Sequence, residues 1–181
     1  MYTIRQATIN DASAVLDITR RAFEIYRQSL DSAAPVAALS ETAEQVKADI
    51  KSGRVFVIAE TPCHCERREA IPCKEKLLGT IRYELLSPDL AYIYRFGVDP
   101  EVANGGVGSD LLSYCIDRIK QEGCKAAALH TNSRYFKLAR YYYGKDFFVH
   151  STDNSMGYIR ALFVKQFDHD TDADVSPAFN K

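Results

Sequence analysis

Midway along the chain runs Val98-Asp99-Pro100-Glu101-Val102-Ala103-Asn104-Gly105-Gly106-Val107-Gly108-Ser109. Its glycines form a turn, and Leu111, Leu112, Cys115, Ile116 and Ile119 follow at helical spacing, with Gly123 to stop the helix. A glycine turn opening a helix gathers backbone N–H groups at the positive end of the helix dipole, which suits phosphate. Two familiar versions do not fit. A P-loop needs Gly-Lys-Ser/Thr, and no Lys precedes Ser109. A dinucleotide fingerprint needs a third Gly where Leu111 stands, and the strand before it belongs to an antiparallel meander.

Upstream of the turn, alternation predicts three meander strands: Val55–Ala59, Leu77–Leu86 and Ala91–Val98. Ser87-Pro88-Asp89 joins the last two. Further upstream, Tyr2–Ala7 reads as a strand, followed by a helix with Val15, Ile18, Ala22 and Ile25 on one face and Asn10 or Asp11 as its cap. A second helix starts near Thr42, with Gln45 as capping-box partner, and ends at Gly53. Downstream come a strand over Ala126–His130, a helix over Lys137–Tyr143, and strands over Phe147–Ser151 and Tyr158–Lys165. The order is strand, two helices, three strands, helix, strand, helix, two strands. It predicts an α/β (α+β) fold with a mixed, mostly antiparallel sheet of about seven strands and about four helices.

The pattern Val-x-Pro-x-x-Gln/Arg-x-x-Gly-x-Gly/Ala between a strand and a helix resembles the acyl-CoA-binding signature of the GNAT superfamily of N-acetyltransferases. Val98, Pro100, Gly106 and Gly108 match, while Ala103 stands where the family usually has Gln or Arg. The resemblance extends over residues 2–167, because the family shares the element order. It implies acetyl-CoA as co-substrate, held in a gap where the signature strand and the later strand splay apart. Phe96 and Val98 would offer backbone groups to pantetheine. Ala103, Asn104, Gly105, Gly106, Val107, Gly108 and Ser109 would cradle the pyrophosphate.

The family's late segment reads Tyr-x-x-x-Gly-Phe. Tyr142-Tyr143-Gly144-Lys145-Asp146-Phe147 has that spacing, with Asp146 in place of Gly. Sliding by one selects Tyr143 and Phe148 instead; Tyr142 places Phe147 at the start of the next strand. The implied reaction is attack of an amine on the acetyl thioester, with Tyr142 protonating the departing thiolate. For the base, Glu84, Tyr92 or Tyr94, and His130 are each candidates, His130 because an unperturbed imidazole titrates near neutrality. The family often has an Asn seven residues before the Tyr; that position is Tyr135 here, and Asn132 lies ten before. The acceptor, a small-molecule or peptide amine, would be met by residues 26–40 and the final strands. Dimers are common in the family, which leaves a homodimer open. A non-catalytic acyl-CoA-binding module of the same fold is the alternative, and Ala103 and Asp146 are the departures that favour it.

The 181 residues are 46% hydrophobic and 26% charged, a composition that excludes disorder and collagen and supports a single core without staples. Lys plus Arg number 23 against 24 Asp plus Glu, so no basic excess points to nucleic acid. No apolar run is long enough to span a membrane, and Met1–Gln6 has no signal-like apolar centre. The expected setting is a reducing cytoplasm. The expected layout is one domain over 1–167, an insertion at 61–76 in a strand hairpin, and an acidic, flexible tail over 168–181. Within the insertion, Cys63-His64-Cys65 and Cys73 resemble a zinc set only loosely, since adjacent residues rarely both reach one tetrahedral ion. In the tail, Asp168-His169-Asp170-Thr171-Asp172-Ala173-Asp174 begins like a calcium loop, but Ala173 replaces its Gly and Phe179 its closing Glu. No resident metal is expected.

Overall fold

The computed structural model describes residues 1–30, 34–60, 75–103, 105–168 and 173–181. Seven strands form one sheet: β1 (Tyr2–Gln6), β2 (Val55–Glu60), β3 (Leu77–Leu85), β4 (Leu90–Val98), β5 (Ala126–Asn132), β6 (Phe148–Asp153) and β7 (Arg160–Gln166). Their spatial order is β1-β2-β3-β4-β5-β7-β6. Neighbours run antiparallel except β4 and β5, which are parallel. Four helices, α1 (Ala12–Gln28), α2 (Ala43–Lys51), α3 (Val107–Gln121) and α4 (Phe136–Tyr143), complete the expected mixed fold.

Side-chain alternation along the strands sorts the core into two faces. Phe56, Ile58, Ile81, Tyr83, Ala91 and Ile93 pack with Leu111, Cys115 and Ile119 of α3 and Tyr142 of α4. On the other face Val55, Val57, Ala59 and Leu77 meet Val15 and Ile18 of α1 and Val46 and Ile50 of α2. Both faces being covered, the central strands read as near-continuous apolar runs. The box at α2 forms as its sequence predicts: Gln45 N–H donates to Thr42 Oγ1 at 3.3 Å, and Thr42 N–H donates to Gln45 Oε1 at 2.8 Å. At α1 Asp11 stands at the N-cap as expected but makes no side-chain capping bond, because its carboxylate is turned back to Thr8. Thr8 caps a short 3-10 turn, its N–H donating to Asp11 Oδ2 at 2.7 Å.

The β4–β5 pairing is short, and this creates the site. It covers only Leu90↔Ala126, Ala91↔Ala127 and Tyr92↔Ala128, although β4 runs on to Val98 and β5 to Asn132. Just beyond Tyr92 the β3–β4 register shifts, one residue of β3 facing two of β4, and Arg95 takes a left-handed φ of 50°. Such a bulge bends its strand and sharpens the local twist. β5 meanwhile follows β7 through seven paired residues, from Ala126↔Gln166 to Asn132↔Arg160. The two strands therefore part.

The tail differs from expectation. Ala173, Val175 and Ala178 are buried against Leu90, Tyr92, Ala126, Ala128, Leu162 and Val164, and Ser176–Ala178 forms a 3-10 turn. Residues 173–181 are thus a packed strap on the α1/α2 face, not a solvated end. These three apolar residues cover a part of the sheet where, among the described residues, the buried cluster includes no α-helical residue. Residues 61–74, with Cys63, His64, Cys65 and Cys73, lie outside the described residues.

Candidate active site

The parting of β4 and β5 opens a cavity of about 790 Å³. Phe96, Gly97 and Val98 of β4 form one wall and Leu129, His130 and Thr131 of β5 the other. Past Tyr92 and Ala128 the facing strand edges do not pair with each other, so β4–β5 pairing does not use up their main-chain groups.

At one end stands the glycine turn. Gly106 is the N-cap residue of α3 at φ 83°, a left-handed conformation that glycine adopts without strain. Gly108 packs so closely that an added Cβ would lie 3.0 Å from Val98 Cγ2 and 3.5 Å from the Phe96 ring. Among the described residues, the N–H groups of Gly106, Val107, Gly108 and Ser109 donate to no main-chain carbonyl, and they face outward from the first turn of a fifteen-residue helix. Ala103, Gly106, Gly108 and Ser109 line the cavity. Two members of the expected cradle differ. Gly105 N–H is committed to Val102 O at 3.3 Å, and the Val107 side chain is buried in the core, leaving only its N–H for a ligand. Asn104 lies outside the described residues. Lys145, from the α4–β6 turn, donates to Ser109 Oγ and brings a cation to the mouth of the cradle.

The α4 tyrosines separate cleanly. Tyr142 is buried and lines the cavity, with ring centroids 5.7 Å from Phe147 and 5.5 Å from Phe163. Tyr143 is 55% exposed. Asp146 has φ 61°, so it holds the left-handed place that suits a glycine, and Phe147 after it is buried while Phe148 is exposed. Burial pushes the Tyr142 phenol far above its ordinary value, which keeps it protonated at neutral pH. Tyr141 also lines the cavity. Its Oη is buried with no hydrogen-bond partner among the described residues, and burial pushes its phenol up to about 12. A tyrosine triplet on a short helix does not reveal from spacing which hydroxyls face inward.

At the other end Glu84, Tyr92, Tyr94, His130 and Arg160 surround the cavity. Tyr92 Oη and His130 Nδ1 are 3.0 Å apart, and His130 Nε2 is 3.8 Å from Asp153 Oδ2. Burial, reinforced by the Arg160 charge, lowers the His130 pKa to about 4. This corrects the expectation of a histidine titrating near neutrality: His130 is a neutral imidazole at pH 7. Desolvation raises the Tyr92 phenol to about 12 and the Tyr94 phenol further. Glu84 Oε1 lies 2.8 Å from Lys181 Nζ. Asn132 is occupied elsewhere: its Nδ2 donates to Ser29 O at 3.0 Å and its Oδ1 accepts from Arg134 N–H at 3.0 Å. Tyr26 Oη accepts from Asn132 N–H at 2.8 Å, tying the end of α1 to β5. Tyr26, Pro35 and Val36 from the α1–α2 region and Tyr158 before β7 line the cavity, where an acceptor was expected to be met.

No group of three or more His, Cys, Asp or Glu among the described residues is placed to hold a metal. Nor is any helix of the described residues long and apolar enough to cross a membrane.

The model of the acetyltransferase (GNAT) family matches residues 23–147. The chain belongs to that family, as its glycine turn and element order led us to expect. Among solved structures it is similar to the PaiA N-acetyltransferase of Thermoplasma acidophilum, solved with coenzyme A: TM-score 0.71, 16% identity, 92% of this chain and 99% of that chain covered. It is also similar to YncA of Salmonella typhimurium, solved with acetyl-CoA: TM-score 0.68, 17% identity, coverage 97% and 99%. A third is the ribosomal-protein-S18-alanine N-acetyltransferase of Escherichia coli: TM-score 0.66, 15% identity, coverage 97% and 98%. At these identities the likeness is one of fold. No curated protein sequence matches the chain.

Proposed function

We propose that the protein transfers the acetyl group of acetyl-CoA to a primary amine within the β4–β5 gap, with Tyr142 as the general acid. The observation that carries this is one continuous cavity reaching from the N-terminus of α3, whose first N–H groups have no main-chain partner among the described residues, to Tyr142 and on to Glu84. The helix N-terminus is suited to the diphosphate, with Lys145 adding a cation where Ala103 offers none. The unpaired edges of β4 and β5 suit the pantetheine amides, and Tyr141 Oη is a further hydroxyl without a partner there.

A neutral amine attacks the thioester carbonyl, and the C–S bond breaks to leave a thiolate. Tyr142 hands its proton to that sulfur. Burial makes the phenol a weaker acid, but the same dry surroundings raise the pKa of a thiol, as they do for Cys115 in this core. At the far end Glu84 takes the ammonium proton, with the Tyr92–His130 pair as neighbouring relay. Proximity in the gap supplies a further share of the rate. The acceptor is a small-molecule or peptide amine, and the buried free thiols Cys115 and Cys124 suit a reducing compartment such as the cytoplasm.

Acetyl-CoA titrated into the protein, followed by thiol release against a panel of amines, tests this. Saturable binding with amine-dependent CoA release is expected. Binding without release from any amine would favour a non-catalytic acyl-CoA module, the reading that Ala103 leaves in play.

A further inference from the structure

The cavity contains an amine of the protein's own. Lys181 lines it together with Glu84, Tyr92 and His130, and its Nζ sits 2.8 Å from Glu84 Oε1. Its placement is not that of a loose surface lysine. The strap delivers it, anchored by buried Ala173, Val175 and Ala178. Arg160 Nη1 then donates to the Lys181 carbonyl oxygen at 2.5 Å, and Arg160 is itself clamped by Asp153 at 3.1 Å. An exposed Lys–Glu pair is worth little as a stabilising contact. Here the pair brings a primary ammonium to the carboxylate that faces the transfer site.

We propose that Lys181 Nζ is an acetyl acceptor in cis, so that the strap marks the acceptor seat as one for a lysine-type amine. This rests on the transferase reading above. The ammonium gives one proton to Glu84, from which water removes it. The nitrogen lone pair then forms the C–N bond to the acetyl carbonyl carbon, and the C–S bond breaks with its electron pair on sulfur. Tyr142 protonates the thiolate and recovers, through water, the proton shed by the new amide nitrogen. The products are acetylated Lys181 and free CoA thiol, with one proton released overall. Acetylation removes the charge held by Glu84, so the seat is freed for an amine from outside.

Purified protein is incubated with acetyl-CoA alone and followed by intact mass and peptide mapping. One acetyl group on Lys181 is expected, with a first-order rate constant independent of protein concentration. The signal is absent in Lys181→Arg and slowed about a hundredfold or more in Tyr142→Phe. Lys181→Ala should acetylate lysine-type amines faster than the unmodified wild type, since its seat is empty. Lys181 left unmodified, modified no faster than the other lysines, or modified at a rate rising with protein concentration overturns cis acetylation, and if Lys181→Ala still acetylates added amines the transferase reading stands. Failure of every amine, Lys181 included, to release CoA overturns both.

Discussion

Tyr92 Oη, from the last paired residue of β4, meets His130 Nδ1 of β5 at 3.0 Å where the two strands begin to part. The contact fixes the imidazole between a buried phenol and Asp153, with Arg160 close by. A neutral ring is the form this pocket accepts.

A pH dependence follows from it. The folded His130 pKa of about 4 lies below its ordinary 6.5, so the unfolded chain binds the proton more readily than the native state. Its effect is absent above the unfolded value and destabilises progressively as pH falls from about 6.5 towards 4. Urea midpoints of wild type and His130→Gln, measured at neutral pH and at about pH 5, should show the smaller acid loss in the variant. Equal losses would contradict the buried neutral ring.

Asp146 at φ 61° keeps a left-handed turn that lets Phe147 bury while Tyr142 points into the cavity. Asp tolerates this conformation and a β-branched residue does not. Asp146→Val should cost about 1–2 kcal/mol in equilibrium unfolding, and Asp146→Gly should cost little. Similar losses from both would mean that the side chain, not the backbone angle, matters there.

Arg82 is fully buried on β3 and donates to both Glu41 oxygens, at 2.8 and 2.9 Å, and to Asp49 at 2.8 Å. Glu41 also receives Arg95 Nε at 3.0 Å, which ties the bulge of β4 to the loop before α2. Arg82→Leu leaves a buried carboxylate facing one cation fewer, at about 3–5 kcal/mol. Denaturation should show that loss, and adding Glu41→Gln should recover part of it.

Tyr141 and Tyr142 have different expected signatures. Tyr141→Phe removes a hydroxyl available to the bound co-substrate, worth about 1 kcal/mol, so it should weaken acetyl-CoA binding several-fold with kcat little changed. Calorimetry and steady-state rates on both variants separate the roles. A collapse of kcat in Tyr141→Phe alone would move the acid to that residue.

Much of this was legible in the chain itself. Alternation placed the strands, Thr42 and Gln45 announced a helix start, and Gly106 with Gly108 marked the turn that opens α3. What stayed hidden depends on contacts distant in sequence. His130 is depressed by burial and by Arg160, thirty residues away. The tail over 168–181 reads as acidic and flexible, yet Ala173, Val175 and Ala178 within it are buried on the sheet, a contact with residues distant in sequence. Gly105 resembles its neighbours in sequence, but a local turn claims its N–H.

The most direct test of the account is CoA release by Tyr142→Phe, with acetyl-CoA and a lysine-type amine both saturating, beside a calorimetric titration of acetyl-CoA into the same variant. The account predicts a fall in kcat of about 10²- to 10⁴-fold with binding retained. Turnover at the wild-type rate would contradict it.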